Sequence, residues 1–253
     1  MHFYAQTQTG IEPRHFVTMK SDPSRTRPSR MSDMKAAAKA GEKWFPSVTT
    51  ILNVLDKPAL TGWKIDQHLQ TAFEIVQNGI VGSELEKFIS EIKFETEIRL
   101  DKAPKAGTDC HKVLEDYFKH GIIPENEIER KICDNVKSVL QEKCGVQEWE
   151  FEKYLINSEH GFAGCTDLKS SIWTIDYKTK QEAVKFKKGK MAYPEHSRQL
   201  AAYGKTLNTQ KAANIFICLE NAEVDFHEHS QDALENGWLD FLACLGIFNR
   251  SKT

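Results

Sequence analysis

The sequence predicts an α/β fold: a mixed β-sheet core flanked by helices, behind a helical N-terminal region. Three observations carry this. Apolar residues recur at helical spacing through most of 46–143. Near 149 the period shortens to alternation, as in WEFEKYLIN. From there the runs read strand, strand, strand, helix, strand, strand, helix, a mixed order that needs helices packed on a sheet.

The elements follow in order. Residues 20–43 hold seven Lys/Arg against three Asp/Glu, with Pro and Ser but few large apolar residues. Such a stretch buries little surface, so 1–45 reads as a basic, partly flexible segment. Ser32 is a candidate cap for a short helix, MKAAAKA, ending at Gly41. PSVTTILNVL has helical spacing at Val48, Ile51, Leu52 and Leu55, with Ser47 as cap and Pro58 as stop. Helical patterns continue over 61–77, 83–99, 107–120 and 125–143. The strands are WEFEKYLIN, GFAGCTDLKSS and IWTIDYKTK, with the Ser170-Ser171 turn between the last two. A helix over 195–207 leads to the strands KAANIFICL and EVDFHEH, joined by a turn at 220–222. Ser230 opens a last amphipathic helix carrying Leu234, Trp238, Phe241, Leu242 and Leu245. This organisation predicts three parts: 1–45, a helical region over 46–145, and a sheet-and-helix core over 146–253.

With 253 residues there is material for one large domain or two small ones. Apolar residues at 40% and charged residues at 28% exclude a mostly disordered chain. The longest unbroken apolar runs, IFICL and FLACL, fall far short of the roughly 20 residues of a membrane span. A net charge of −2 excludes a chain that is basic all over, though not a local basic patch. The start MHFYAQTQTG does not read as a secretory signal. Six cysteines at 110, 133, 144, 165, 218 and 244 make no CxxC pair. They read as reduced, buried thiols of a cytoplasmic protein, not as zinc or iron–sulfur ligands.

Asp176 and Lys178 fall one residue apart in IDYKTK, so a strand puts both on one face. Asp167 lies in the preceding strand, and a hairpin through Ser170-Ser171 brings it near Asp176. Two carboxylates and an ammonium suit phosphodiester hydrolysis. Hard oxygens hold Mg²⁺ or Mn²⁺. The ion orients phosphate and lowers the pKa of a bound water, and the lysine positions water or offsets developing charge. Alone, D-x-K also fits a surface ion pair worth ~0–1 kcal/mol. His111 and Glu115, at i and i+4 in GTDCHKVLEDYF, share a helix face. They also fit a solvated face; as a mixed nitrogen and oxygen set they favour Mn²⁺ over Mg²⁺. Glu152 on the first strand is a further carboxylate for the same end of the sheet. Gln199 and Tyr203, again i and i+4, offer uncharged donors. KTKQEAVKFKKGK has six lysines against one glutamate, with Phe186 interleaved. It reads either as a solvated loop or as a phosphate-facing one, with Phe186 or Tyr193 able to stack on a base.

Taken in order, the H-x3-E helix, the GxxD strand, the D-x-K strand and the Q-x3-Y helix resemble the RecB-type exonuclease branch of the PD-(D/E)XK nuclease superfamily. The opening PSVTTIL and the helix with Gly62-Trp63-Lys64 extend the resemblance to mitochondrial genome maintenance exonucleases and phage-encoded relatives. It covers about 46–245 of the chain. The resemblance implies a restriction-endonuclease-like core. It implies His111, Asp167, Asp176 and the backbone carbonyl of Tyr177 as metal ligands. Lys178 becomes the catalytic lysine, and Glu152 an acid acting through water. Glu115, Gln199 and Tyr203 become supporting residues, the latter two also touching DNA. Gly164 allows close packing beside the site. Some relatives carry an iron–sulfur cluster on one early and three late cysteines. The cysteine positions here do not match that set, so no cluster is expected.

The function so implied is a metal-dependent DNA exonuclease using one or two Mg²⁺ or Mn²⁺ ions. It acts from free ends, prefers single strands, and serves recombination, repair or genome processing in a bacterial or infected-host cytoplasm. DNA enters along Lys180, Lys185, Lys187 and Lys188. With no motor region in the sequence, a recombination or replication protein would be the partner, and no membrane is involved. Two alternatives stay open: a structure-selective endonuclease cutting flaps or junctions, and a nucleic-acid-binding module that keeps the fold without turnover.

Overall fold

In a computed structural model, described at all residues except 20–21, 78–84, 182–191 and 252–253, the chain is mixed α/β. It divides into two compact units: Met1–Leu55 with Glu115–Thr253, and Asp56–Leu114. The boundaries therefore fall at 55/56 and 114/115, where the sequence predicts 45/46 and 145/146.

The first unit holds a five-stranded sheet. Its strands are β6 (Glu150–Asn157), β7 (Phe162–Lys169), β8 (Trp173–Lys180), β9 (Lys211–Cys218) and β10 (Val224–Glu228). The spatial order is β10-β9-β8-β7-β6. β8 and β9 are parallel, and the other pairs are antiparallel. The single parallel step exists because α6 (Pro194–Leu207) lies between β8 and β9 in the chain. β9 is buried along all but its first residue, which is why KAANIFIC reads as a continuous apolar run with one amide in it.

The main core lies between the sheet, α2 (Val48–Leu52), α6 and α7 (Gln231–Arg250). It joins Val48, Ile51 and Leu52 to Leu155, Phe162, Ala202, Tyr203, Phe241, Cys244, Leu245 and Phe248. Gly237 lets α7 sit against α6, since a β-carbon there would meet the Ser197 backbone at 2.9 Å. α5 (Glu127–Cys144) buries Ile132, Cys133, Val136 and Leu140, a helical stripe. It is tied to the turn before β10 by Asn135 Nδ2 donating to the Ala222 carbonyl at 2.8 Å. Two caps stand where the sequence places them. Ser47 accepts from Thr50 N–H, and Ser230 from Ala233 N–H.

The N-terminal segment departs from the flexible reading. β1 (Phe3–Thr7), β2 (Gly10–Pro13) and β5 (Trp44–Pro46) form an antiparallel sheet in the order β2-β1-β5. β3 (Phe16–Met19) and β4 (Asp22–Pro28) form a ribbon. Phe3 and Phe45 are buried, and Tyr4 packs with Phe45 and Ala163. Pairing with a strand some forty residues away, not local composition, orders this stretch. α1 (Met31–Lys39) starts one residue before the expected Ser32 cap. The Asp33 carboxylate explains this: it accepts from Arg30 N–H at 2.8 Å and pairs with Arg27 at 2.7 Å.

The second unit is helical. α3 (Pro58–Gln77) opens at Pro58, where a stop was expected; its missing N–H is harmless in a first turn. The expected helices over 83–99 and 107–120 are one helix, α4 (Leu85–His120), which runs through Pro104 and on into the first unit. Helix-forming residues on both sides outweigh the one hydrogen bond that Pro104 removes.

Candidate active site

The site grows out of the β7–β8 hairpin. Ser170 closes its turn, its hydroxyl accepting from Ile172 and Trp173 N–H. The β7–β8 ladder pairs Leu168 with Ile175 and Lys169 with Thr174. One step further the register sets Asp167 opposite Asp176. There side chains take over from the ladder: Asp167 Oδ2 accepts from Tyr177 N–H at 2.6 Å, and Thr166 Oγ1 donates to the Ile175 carbonyl at 2.9 Å.

Asp176 is 5% exposed, and both its oxygens are engaged. Oδ2 meets Lys178 Nζ at 2.5 Å and accepts from Asn214 Nδ2 at 3.1 Å. Oδ1 accepts from Gln199 Nε2 at 2.9 Å. Gln199 Oε1 in turn accepts from Lys178 Nζ at 3.2 Å, so one amide spans the ion pair. Gln199 Nε2 also reaches Tyr203 Oη at 3.2 Å. The i and i+4 spacing on α6 thus delivers both side chains to Asp176. Burial raises the Tyr203 phenol well above its ordinary pKa, and the Asp176 charge adds to this. The ring lies on Gly164, where any β-carbon would overlap it.

Glu152 on β6 falls at the register position opposite Asp167 on β7, between the pairs Phe151–Leu168 and Lys153–Thr166. Its backbone is left-handed, with φ +46. A non-glycine residue there costs on the order of 1–3 kcal/mol, and like charges directly opposite add to the cost. The Cys165 thiol reports the resulting field. Its pKa is raised first by burial and then by Glu152, Asp167, Asp176 and Glu115. Glu115 pairs with Lys119 at 2.9 Å, and the Lys119 pKa is raised by that bond and further by Glu152.

The structure therefore brings Asp167, Tyr177, Asp176, Lys178, Gln199 and Tyr203 together, with Glu152 and Glu115 in the same electrostatic neighbourhood. His111 belongs to the second unit. Lys180 Nζ stands 5.6 Å over the Tyr193 ring, whereas Lys185, Phe186, Lys187 and Lys188 lie outside the described residues. Asn214 and His229 were not anticipated, and each holds the site from behind. A polar residue in the middle of an apolar strand is the signal that marks Asn214.

Among the described residues, no three His, Cys, Asp or Glu side chains form a ready-made cation cage. The acidic groups gathered on neighbouring strands are nevertheless all hard-oxygen donors: the Asp167 and Asp176 carboxylates, with Glu152 at the register position opposite Asp167. In kind, that set fits Mg²⁺ or Mn²⁺ and not a soft ion. A cation would also offset the like charges that neighbouring strands gather here. Among the described residues, no helix is long and apolar enough to cross a membrane.

No family model matches the chain, and no curated protein sequence does. Among solved structures it is similar to a candidate exonuclease from Eubacterium rectale. The identity is 11% over 59% of this chain and 67% of the other, with a TM-score of 0.41. It is also similar to an alkaline exonuclease from Laribacter hongkongensis. There the identity is 10% over 47% of this chain and 68% of the other, with a TM-score of 0.31. Both scores lie below 0.5, so the case for the site rests on its own geometry.

Proposed function

We propose that the chain is a metal-dependent DNA nuclease of PD-(D/E)XK type that hydrolyses phosphodiester bonds from free ends, with single strands preferred. The observation that carries this is the Asp176–Lys178 pair on one face of β8, bridged by Gln199 and flanked by Asp167. An ordinary surface ion pair is not buried, not bridged by an amide and not set against a second carboxylate. The preference for free single-stranded ends, and a place in recombination, repair or genome processing, rest on the motif resemblance.

Asp167, Asp176 and the Tyr177 carbonyl would hold one or two Mg²⁺ or Mn²⁺ ions, with Glu152 acting through water. When bound, the ion supplies Lewis acidity toward the scissile phosphate. Lys178 donates to the attacking water and to the phosphate oxygens, holding water in line and offsetting charge at phosphorus. The water oxygen bonds to phosphorus as the P–O3′ bond breaks; the water gives its proton to solvent and the leaving O3′ takes one from solvent, which leaves a 5′-phosphate and a 3′-hydroxyl. Gln199 fixes the Lys178 ammonium relative to Asp176, and Tyr203 buttresses Gln199. Lys180, Lys185, Lys187 and Lys188 would line the approach of the backbone.

End-labelled linear single-stranded, linear duplex and closed circular single-stranded DNA, incubated in Mg²⁺, Mn²⁺ or EDTA, test the reading, with Asp176→Ala as control. Metal-dependent loss of linear but not circular DNA, absent in the variant, is expected. Cleavage of circles would replace the exonuclease with an endonuclease. DNA binding without cleavage in either metal would overturn the enzymatic reading.

A further inference from the structure

We propose that Asn214 and His229 form a positioning relay that holds the Asp176 carboxylate in its working orientation, an inference that rests on the nuclease reading above. Parallel pairing sets Asn214 on β9 directly beside Asp176 on β8. Its Nδ2 donates to both the Asp176 carbonyl and Oδ2, each at 3.1 Å. Its Oδ1 lies 2.8 Å from His229 Nε2. Asn214 is fully buried, and His229 is 6% exposed.

The amide could fill this space in two orientations, and only one works. Flipped, its oxygen would face the Asp176 carbonyl and carboxylate, three acceptors together with no proton between them. With the amide so held, its Oδ1 meets His229 Nε2, and an N–H at that nitrogen secures the working orientation. Burial, with His227 adding to it, lowers the His229 pKa to about 4, so the ring is neutral near pH 7 and has a single N–H. The bond to an amide oxygen requires that proton on Nε2. His229 is itself fixed, since its backbone N–H donates to the Ala212 carbonyl at 3.0 Å. The order is therefore ring, amide, carboxylate: His229 sets Asn214, and Asn214 sets which way Asp176 presents its oxygens. Neither residue reaches the reacting atoms, so both act through Asp176. Hydrogen-bond partners behind a ligating carboxylate typically govern metal affinity or activity by ~10–100-fold.

The test compares His229→Phe, His229→Gln and Asn214→Ser in the full chain. Calorimetric Mn²⁺ affinity is measured alongside kcat and KM on a single-stranded oligonucleotide. His229→Phe keeps a flat ring without the donor, and about a ten-fold loss in both Mn²⁺ affinity and kcat is expected, with KM unchanged. His229→Gln carries a donor that reaches the same oxygen and should restore most of both. Asn214→Ser cannot span Asp176 and His229 together and should lose as much as His229→Phe, which keeps the test open if the phenylalanine variant does not fold. Wild-type Mn²⁺ affinity and kcat in His229→Phe would overturn the relay, as would equal losses in the Phe and Gln variants. If the wild type cleaves no nucleic acid but these shifts in Mn²⁺ affinity appear, the relay stands and the nuclease reading falls. A wild type that binds no Mn²⁺ overturns both.

Discussion

Lys178 Nζ stands 2.5 Å from Asp176 Oδ2, and the two side chains leave β8 on the same face. An ammonium so close to a carboxylate invites the reading of a mere ion pair. The bridge through Gln199 argues otherwise, since its amide is oriented to accept from the lysine and donate to the aspartate at once. Lys178→Met keeps the stem and removes the charge. It should lower kcat about 10²–10³-fold, the scale for losing one donor aimed at developing charge, with oligonucleotide binding little changed. Gln199→Leu should cost less, about ten-fold, because it loosens the lysine without removing it. Single-turnover cleavage and fluorescence-anisotropy binding separate the two terms. Near-wild-type turnover in Lys178→Met would remove the lysine from the mechanism.

Gly164 and Tyr203 make a second close relationship, between β7 and α6. The phenol ring occupies the space where a side chain at 164 would begin. Gly164→Ala therefore has to displace a fully buried aromatic ring whose hydroxyl is bonded to Gln199. Overpacking of this kind costs typically 1–3 kcal/mol, and here it should also disturb Gln199. Urea unfolding is expected to show the stability loss, and kcat to fall with it. Gly164→Ala with wild-type stability would mean that α6 yields freely, and the close approach would lose its significance.

Much of this was legible in the sequence. The alternation in WEFEKYLIN and the two serine caps mark elements through local chemistry, and local chemistry is visible in a single chain. The shared face of Asp176 and Lys178 follows from the strand period alone. What escaped is non-local. β1 is held by β5 some forty residues on, and neither strand announces its partner. Pro58 reads as a stop because proline removes a donor, yet it opens a helix, and Pro104 sits inside one. The division into units cuts α4, which no composition shift marks. Asn214 and His229 escaped because their meaning lies in a parallel pairing made across the intervening helix α6.

Two buried histidines make stability depend on pH in a defined direction. Burial lowers the His196 pKa to about 3, with Lys178 adding to it, and lowers the His229 pKa to about 4. Unfolded, both titrate near 6.5. Between about pH 6.5 and 4 the unfolded chain therefore binds more protons than the folded one. Stability rises with pH through that window and is lost as pH falls. Two such groups set a limiting slope of ~2.7 kcal/mol per pH unit. Urea midpoints measured from pH 7.5 to 4.5 should decline below about 6.5, and His229→Gln should flatten the decline. An unchanged slope in that variant would show that His229 does not stay neutral in the folded state.

Glu152 offers the sharpest separation of stability from function. Its φ of +46 is strained for any residue but glycine, and it falls at the register position opposite Asp167. Glu152→Gly relieves both penalties, at the cost of the added freedom of glycine in the unfolded chain. A net gain of about 1 kcal/mol is expected in EDTA, with activity reduced. Glu152→Gln removes the charge but keeps the strain, so it should gain less. Adding Mn²⁺ should stabilise the wild type more than either variant, because a cation bound to the folded state alone adds its binding free energy to stability. Urea unfolding with and without Mn²⁺, on the three proteins, reads all of this. If Glu152→Gly is less stable than the wild type in EDTA, the left-handed backbone is not a strain the active site imposes. If Mn²⁺ stabilises all three equally, Glu152 does not contribute to holding the ion.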